Sequence, residues 1–246
     1  MVDKPNRIFT LDDNTYASNP GGLDVNYWCW IRSFPKEPLR ISFELTVAIA
    51  FALLVNWAFW KNLLAFPQAG MLTDWTMWHI DSLSSEQRTL ITILVLIGLI
   101  NWAFWIVISS LLQRARFLAI HIRERFLYGC VNPGIVVALK PPLVAVFTDL
   151  TTTDIPCHVI KILPQPLRWT NLENLSIGTR LATIAGYQGD AQQGHWDNFH
   201  PVVVNCVTNN QTDIDRVFQN IPDWEWLELK LGLAQVPKQP GLYKIS

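Results

Sequence analysis

Charge is what one stretch of this chain lacks: from Leu90 to Leu112, LITILVLIGLINWAFWIVISSLL, there is no ionisable side chain. A helix of that length crosses a hydrocarbon core of about 30 Å, so the run argues against a water-exposed element and predicts a membrane span. The four cysteines, Cys29, Cys130, Cys157 and Cys206, form no CxxC pair, which argues against a zinc knuckle or a disulfide framework. No phosphate-loop motif and no nucleophile elbow occur, so neither nucleotide chemistry nor serine hydrolysis is signalled. Neither apolar run contains a histidine, the usual axial ligand, which argues against a pigment contact. The first forty residues are polar and hold Asp3, Asp12, Asp13 and Asp24, so no cleaved leader is expected and the first span is expected to stay in place.

What is present divides the chain. Residues 1–44 mix Pro, Gly, Asn and charge without periodicity and read as a polar N-terminal arm with at most short structured pieces. Residues 45–112 read as a transmembrane helical hairpin, with spans near 45–66 and 89–112; Lys61 extends its stem towards the headgroups. Ser84 with Gln87 makes a capping-box pattern that would start the second helix. Residues 113–127 read as a basic juxtamembrane helix, with Leu118, Ile122 and Phe126 at helical spacing opposite the arginines. Residues 128–246 read as one α+β domain.

Within that domain, Ile135–Leu139, Leu143–Phe147, His158–Leu163, Leu181–Ala185 and Pro201–Val207 have strand length and β-branched content, separated by turn residues. Asn132-Pro133-Gly134 reads as a turn ahead of the first strand. Two helices follow: one with Ile214, Val217, Phe218 and Ile221 after a Thr212 cap, and one from Pro222 with Trp224, Leu227, Leu231 and Ala234 as its buried stripe. The fold expected is therefore a two-helix transmembrane hairpin plus a cytoplasmic α+β domain, a small antiparallel β-barrel or curled sheet with two C-terminal helices.

Three groups of residues are candidates for function. Asn56-Trp57-Ala58-Phe59-Trp60 recurs as Asn101-Trp102-Ala103-Phe104-Trp105, once in each span. An amide in hydrocarbon is costly unless paired, so Asn56, Trp57, Trp60, Asn101, Trp102 and Trp105 are candidates for intramembrane helix contact, within the hairpin or between copies. The plainer reading is a Trp-rich packing surface. Trp28, Trp30, Arg114, Arg116, Arg123 and Arg125 are candidates for the membrane surface, where rings sit at headgroup depth and cations meet phosphates; Trp28 and Trp30 fit equally a cluster packed on the later domain. His195, Asp197 and His200, with Asp149, are a possible polar site, since two imidazoles and a carboxylate suit metal binding or acid–base work. The Gly194 and Pro201 borders favour a turn whose side chains bond their own backbone. No metal, cofactor or nucleic-acid partner is indicated.

The motifs YGCVNPGIVV (Tyr128–Val137), PPLVAVFTDLTT (Pro141–Thr152), KILPQPL (Lys161–Leu167), GTRLA (Gly178–Ala182), GHWDNFHP (Gly194–Pro201) and the closing GLY (Gly241–Tyr243) resemble, in order, a bacterial family known only as a domain of unknown function, DUF3239. The resemblance covers about residues 127–246 and implies a self-contained cytoplasmic domain without assigned chemistry. Basic residues Arg32, Lys36 and Arg40 before the first span, and four arginines after the second, predict both termini in the cytoplasm and the loop outside. The sequons at Asn174 and Asn210 are then expected to be silent. The functional expectation is an integral membrane protein acting as a non-catalytic interaction or accessory module, in contact with the lipid bilayer and with other membrane subunits or copies of itself. The alternatives are a homo-oligomeric channel or transport element, and a membrane-tethered enzyme using the His195–His200 loop.

Overall fold

A computed structural model describes residues 19–65, 85–167 and 175–245. The expectations for Ser84 and Asn174 fall outside these residues. The chain divides into two compact units, one of residues up to Pro35 together with those from Leu118 on, the other Lys36–Phe117.

The second unit is helical. Helix α2 spans Lys36–Ala65, and α3 spans Ser85–Tyr128, its last turns belonging to the other unit. Both contain stretches long and apolar enough to cross a membrane, Pro38–Trp57 and Ile91–Tyr128. Helix α2 begins well before residue 45. Pro38 sits in its first turn, where a missing N–H costs no intrahelical bond, and Arg40 Nε donates to Glu44 Oε1 at 3.0 Å one turn on.

The first unit is built on a six-stranded antiparallel sheet: β1 Cys130–Leu139, β2 Pro142–Asp149, β3 His158–Pro164, β4 Arg180–Gln188, β5 Asn198–Val203 and β6 Gly241–Lys244, in the order β5-β4-β1-β2-β3-β6. Alternation along the strands makes two cores. Val136, Val144, Val146, Val159, Ala185, Phe199 and Val203 fill one face. Val131, Ala145, Phe147, Ile160, Ile162 and Ile184 fill the other, against Phe126 and the helices. The first face is the inside of a curl, because side chains bridge non-adjacent strands across it. Thr148 Oγ1 and Tyr187 OH are 2.7 Å apart, Lys161 Nζ reaches Asn198 Oδ1 at 2.8 Å, and Gln165 Nε2 reaches Pro201 O at 3.0 Å. The result is a half-barrel. A register shift between Val136 and Ala138 adds local bend.

Several expectations are corrected here. Asn132-Pro133-Gly134 lies inside β1, paired with Thr183, Ala182 and Leu181. Gly134 permits this: a Cβ there would stand 3.0 Å from Thr183 Cγ2 and 3.2 Å from Leu181 O. Strand β5 stops at Val203 and passes into a 3-10 turn, Val204–Cys206. Helix α4, Gln211–Gln219, is capped by Asn210, whose side chain accepts from Thr212 N, so Thr212 is not the cap. In α5, Asp223–Gly232, the expected stripe is on the outside: Trp224, Leu227 and Leu231 are more than half exposed, while Trp226, Leu229 and Gly232 are buried. The helix offers apolar residues on both faces, and the face bearing Gly232 approaches the sheet most closely. A Cβ there would lie 2.6 Å from Ile160 Cδ1.

The arm also differs from expectation over its described part. Gly21, Gly22 and Leu23 donate backbone N–H groups to Gly129, Leu127 and Phe126 at 3.0–3.1 Å, and Leu23 is fully buried. Arg216 clamps the Gly21 and Gly22 carbonyls. Helix α1, Tyr27–Ser33, capped by Asn26, then packs Trp30 on the domain core.

Candidate functional site

The repeated pentapeptide places its two amides together. Asn56 Nδ2 donates to Asn101 Oδ1 at 2.7 Å, and each side chain also donates to the carbonyl one turn back, Asn56 to Ala52 O at 2.8 Å and Asn101 to Ile97 O at 3.1 Å. Identical local sequence thus gives identical local bonding in two antiparallel helices. Phe51 and Phe104 close the seam beside the pair, with ring centroids 4.9 Å apart. Trp57, Trp102 and Trp105 are 61%, 65% and 67% exposed, so they cover the outside of the hairpin and do not join the seam. The Trp60 side chain lies outside the described residues. Lys61 Nζ stands 5.2 Å from the Trp57 ring, a cation–π contact.

The position of this pair along the helices follows from charge. Arg88 and Arg114 each stand thirteen residues from Asn101, about 20 Å on either side at 1.5 Å per residue. Asn101 is therefore at the middle of the uncharged length of α3.

The membrane-surface candidates separate. Trp28 is 81% exposed, Arg114, Arg116 and Arg123 are exposed, and Trp30 is half-buried on the domain. Arg125 turns into the domain, where its charge lies close enough to His200 to act on that group. Burial, with the Lys161 and Arg125 charges behind it, holds His200 below the usual imidazole value.

The polar-loop candidates are not brought together as a site. Asp149 Oδ1 accepts from Thr151 N at 2.9 Å and Cys157 N at 2.8 Å, which closes the β2–β3 turn. Asp197 packs against Gly189, whose φ is +129°; a Cβ there would lie 2.6 Å from Asp197 N, so the position has no room for a side chain. His195 Nδ1 is 3.1 Å from Trp196 O, and His200 Nε2 is 2.7 Å from Gln188 Oε1. What the loop does hold is the mouth of the half-barrel: Trp196 N donates to Leu150 O at 2.8 Å, and Thr152 N to Gly194 O at 3.0 Å. Among the described residues no three His, Cys, Asp or Glu side chains stand close enough to hold a metal ion.

Polar groups that sequence reasoning passed over occupy the interior. Burial raises the Tyr187 hydroxyl well above its usual value, with the Cys130 thiol beside it adding to the shift. Burial likewise raises Cys130 to about 11 and Glu225 to about 7. Glu225 Oε2 is buried with no hydrogen-bond partner among the described residues.

The family described as "Protein of unknown function (DUF3239)" matches residues 119–237, just under half of the chain. Over these residues the chain is similar to the DUF3239 family. The match takes in the last turns of α3, where Ile122 and Phe126 enter the core, and ends before β6, so the GLY motif at 241–243 lies outside it. β6 nonetheless completes the sheet by pairing with β3. No curated protein matches the chain. A solved structure described as a "putative membrane protein" from Corynebacterium diphtheriae is similar at 19% identity, over 47% of this chain and 100% of that one, with a TM-score of 0.38.

Proposed function

We propose that this chain is an integral membrane protein whose hairpin crosses the bilayer twice, and whose DUF3239 domain serves on the cytoplasmic side as a non-catalytic interaction or accessory module. The observation that carries this reading is the exposure of the hairpin: Phe43, Leu53, Leu54, Leu99, Trp102 and Trp105 are each more than half exposed, among many others. Apolar surface in water costs about 25 cal/mol per Å², and soluble proteins rarely leave so continuous a patch uncovered. In hydrocarbon the same surface carries no such cost, and backbone groups satisfied within helices are what a bilayer requires. The Asn56–Asn101 bond supplies the pairing that buried amides need there.

Orientation with both termini in the cytoplasm rests on Arg32 ahead of α2, Lys36 and Arg40 in its first two turns, and Arg114, Arg116 and Arg123 at the far end of α3. The accessory role rests on the outward Trp57, Trp102 and Trp105, large rings left for other membrane helices once the hairpin has satisfied its own amides. Resistance of the full chain to alkaline carbonate extraction tests insertion, and release into the supernatant would overturn it. Gentle detergent extraction with mass spectrometry of the co-purifying material tests the role: a stoichiometric foreign subunit is the expected result, and a lone monomer or pure homo-oligomer contradicts it.

A further inference from the structure

We propose that a cavity in the first unit, walled by α1, the start of β4, the 3-10 turn after β5 and α4, binds a phosphate-bearing anion. Its volume is about 370 Å³, within the range of small-molecule sites. Among the described residues, Arg32 and Arg180 line it together with one carboxylate, Asp215, which Gln211 Nε2 engages at 2.7 Å. The Arg180 guanidinium lies 5.1 Å from the Trp226 ring, which supports its planar face and leaves its N–H edges for an anion. Asn205 and Asn209 add two side-chain amides with no hydrogen-bond partner among the described residues. Two guanidiniums and two donor amides around one cavity match the several acceptor oxygens of a phosphate or diphosphate better than a single carboxylate.

The wall is placed firmly. Asn26 N donates to Val207 O at 2.9 Å, Asn26 caps α1, and Trp30 packs on the core, so Cys29 and Arg32, three apart on one helix face, are presented to the cavity together. The phosphate has two possible sources, a soluble phosphate ester or the headgroup of an anionic lipid.

Cys29 supplies the readout. The full chain is placed in phosphatidylcholine nanodiscs with and without millimolar pyrophosphate, and separately in nanodiscs containing phosphatidylglycerol; the rate of maleimide addition to the Cys29 peptide is followed by mass spectrometry. Slowing by pyrophosphate assigns a soluble ligand and slowing by phosphatidylglycerol alone assigns a headgroup; either supports the site. In each case Arg32→Gln and Arg180→Gln are expected to weaken the protection about tenfold, the value of one charge-assisted contact, while Lys238→Gln leaves it unchanged. Asn209→Leu, at an exposed position that leaves the core intact, is expected to weaken it as well. No slowing from either source, or slowing that persists in all three cavity variants, overturns the proposal.

Discussion

Asn56 and Asn101 each spend one N–H on their own helix and share a bond across the seam, so neither can be changed without stranding the other. Asn56→Leu or Asn101→Leu alone is expected to destabilise the hairpin by about 1 kcal/mol, and the double change by less than the sum. A double-mutant cycle by unfolding in detergent measures it; strict additivity would remove the pair. Glu225 makes a pH-dependent contribution of the opposite kind. Its folded pKa, about 7, is raised above the ordinary carboxylate value near 4.5, so ionising it costs the folded state as pH rises through that window. The cost is complete above about pH 7 and amounts to roughly 1–2 kcal/mol once screening by the solvent that reaches the side chain is allowed for. Glu225→Gln should raise the melting temperature at pH 8 and leave it nearly unchanged at pH 4; an equal effect at both values would show that desolvation is not the cause. The asparagines were legible because the pentapeptide repeats and an amide in hydrocarbon needs a partner. Glu225, Tyr187 and Lys161 were not, since a single polar residue in a strand or helix carries no sign of which neighbours the curl will bring to it.

Five of the six strands were legible as β-branched runs between turn residues. β6 was not, because four residues with one apolar side in contact give no period to read. Pro133 and Gly134 misled for a physical reason: both mark turns in most contexts, and only the pairing with β4, where Gly134 lets two strands close in, keeps them in β1. Helix α5 shows the limit of periodicity, since Trp224-Leu227-Leu231 and Trp226-Leu229-Leu233 are equally spaced and the sheet selects the second. Leu229→Ala is expected to cost about 2–5 kcal/mol and Leu227→Ala less than about 0.5 kcal/mol, read by thermal unfolding. The reverse order would place the first stripe inward after all. The described part of the arm escaped notice because Gly21, Gly22 and Leu23 dock by backbone bonds, which leave no side-chain pattern.

At the scale of the whole molecule, the account rests on one apolar hairpin, with Asn101 of its amide pair midway between Arg88 and Arg114, joined in sequence to a half-barrel that matches the DUF3239 family over residues 119–237. The most direct test is thiol accessibility in intact cells, with single cysteines introduced as Ala69→Cys in the loop and Lys238→Cys in the domain, on a chain whose Cys29 is replaced by Ser. Expected is labelling of residue 69 by a membrane-impermeant maleimide before lysis, with residue 238 labelled only after it. Equal labelling of both positions before lysis would contradict a hairpin that crosses the membrane.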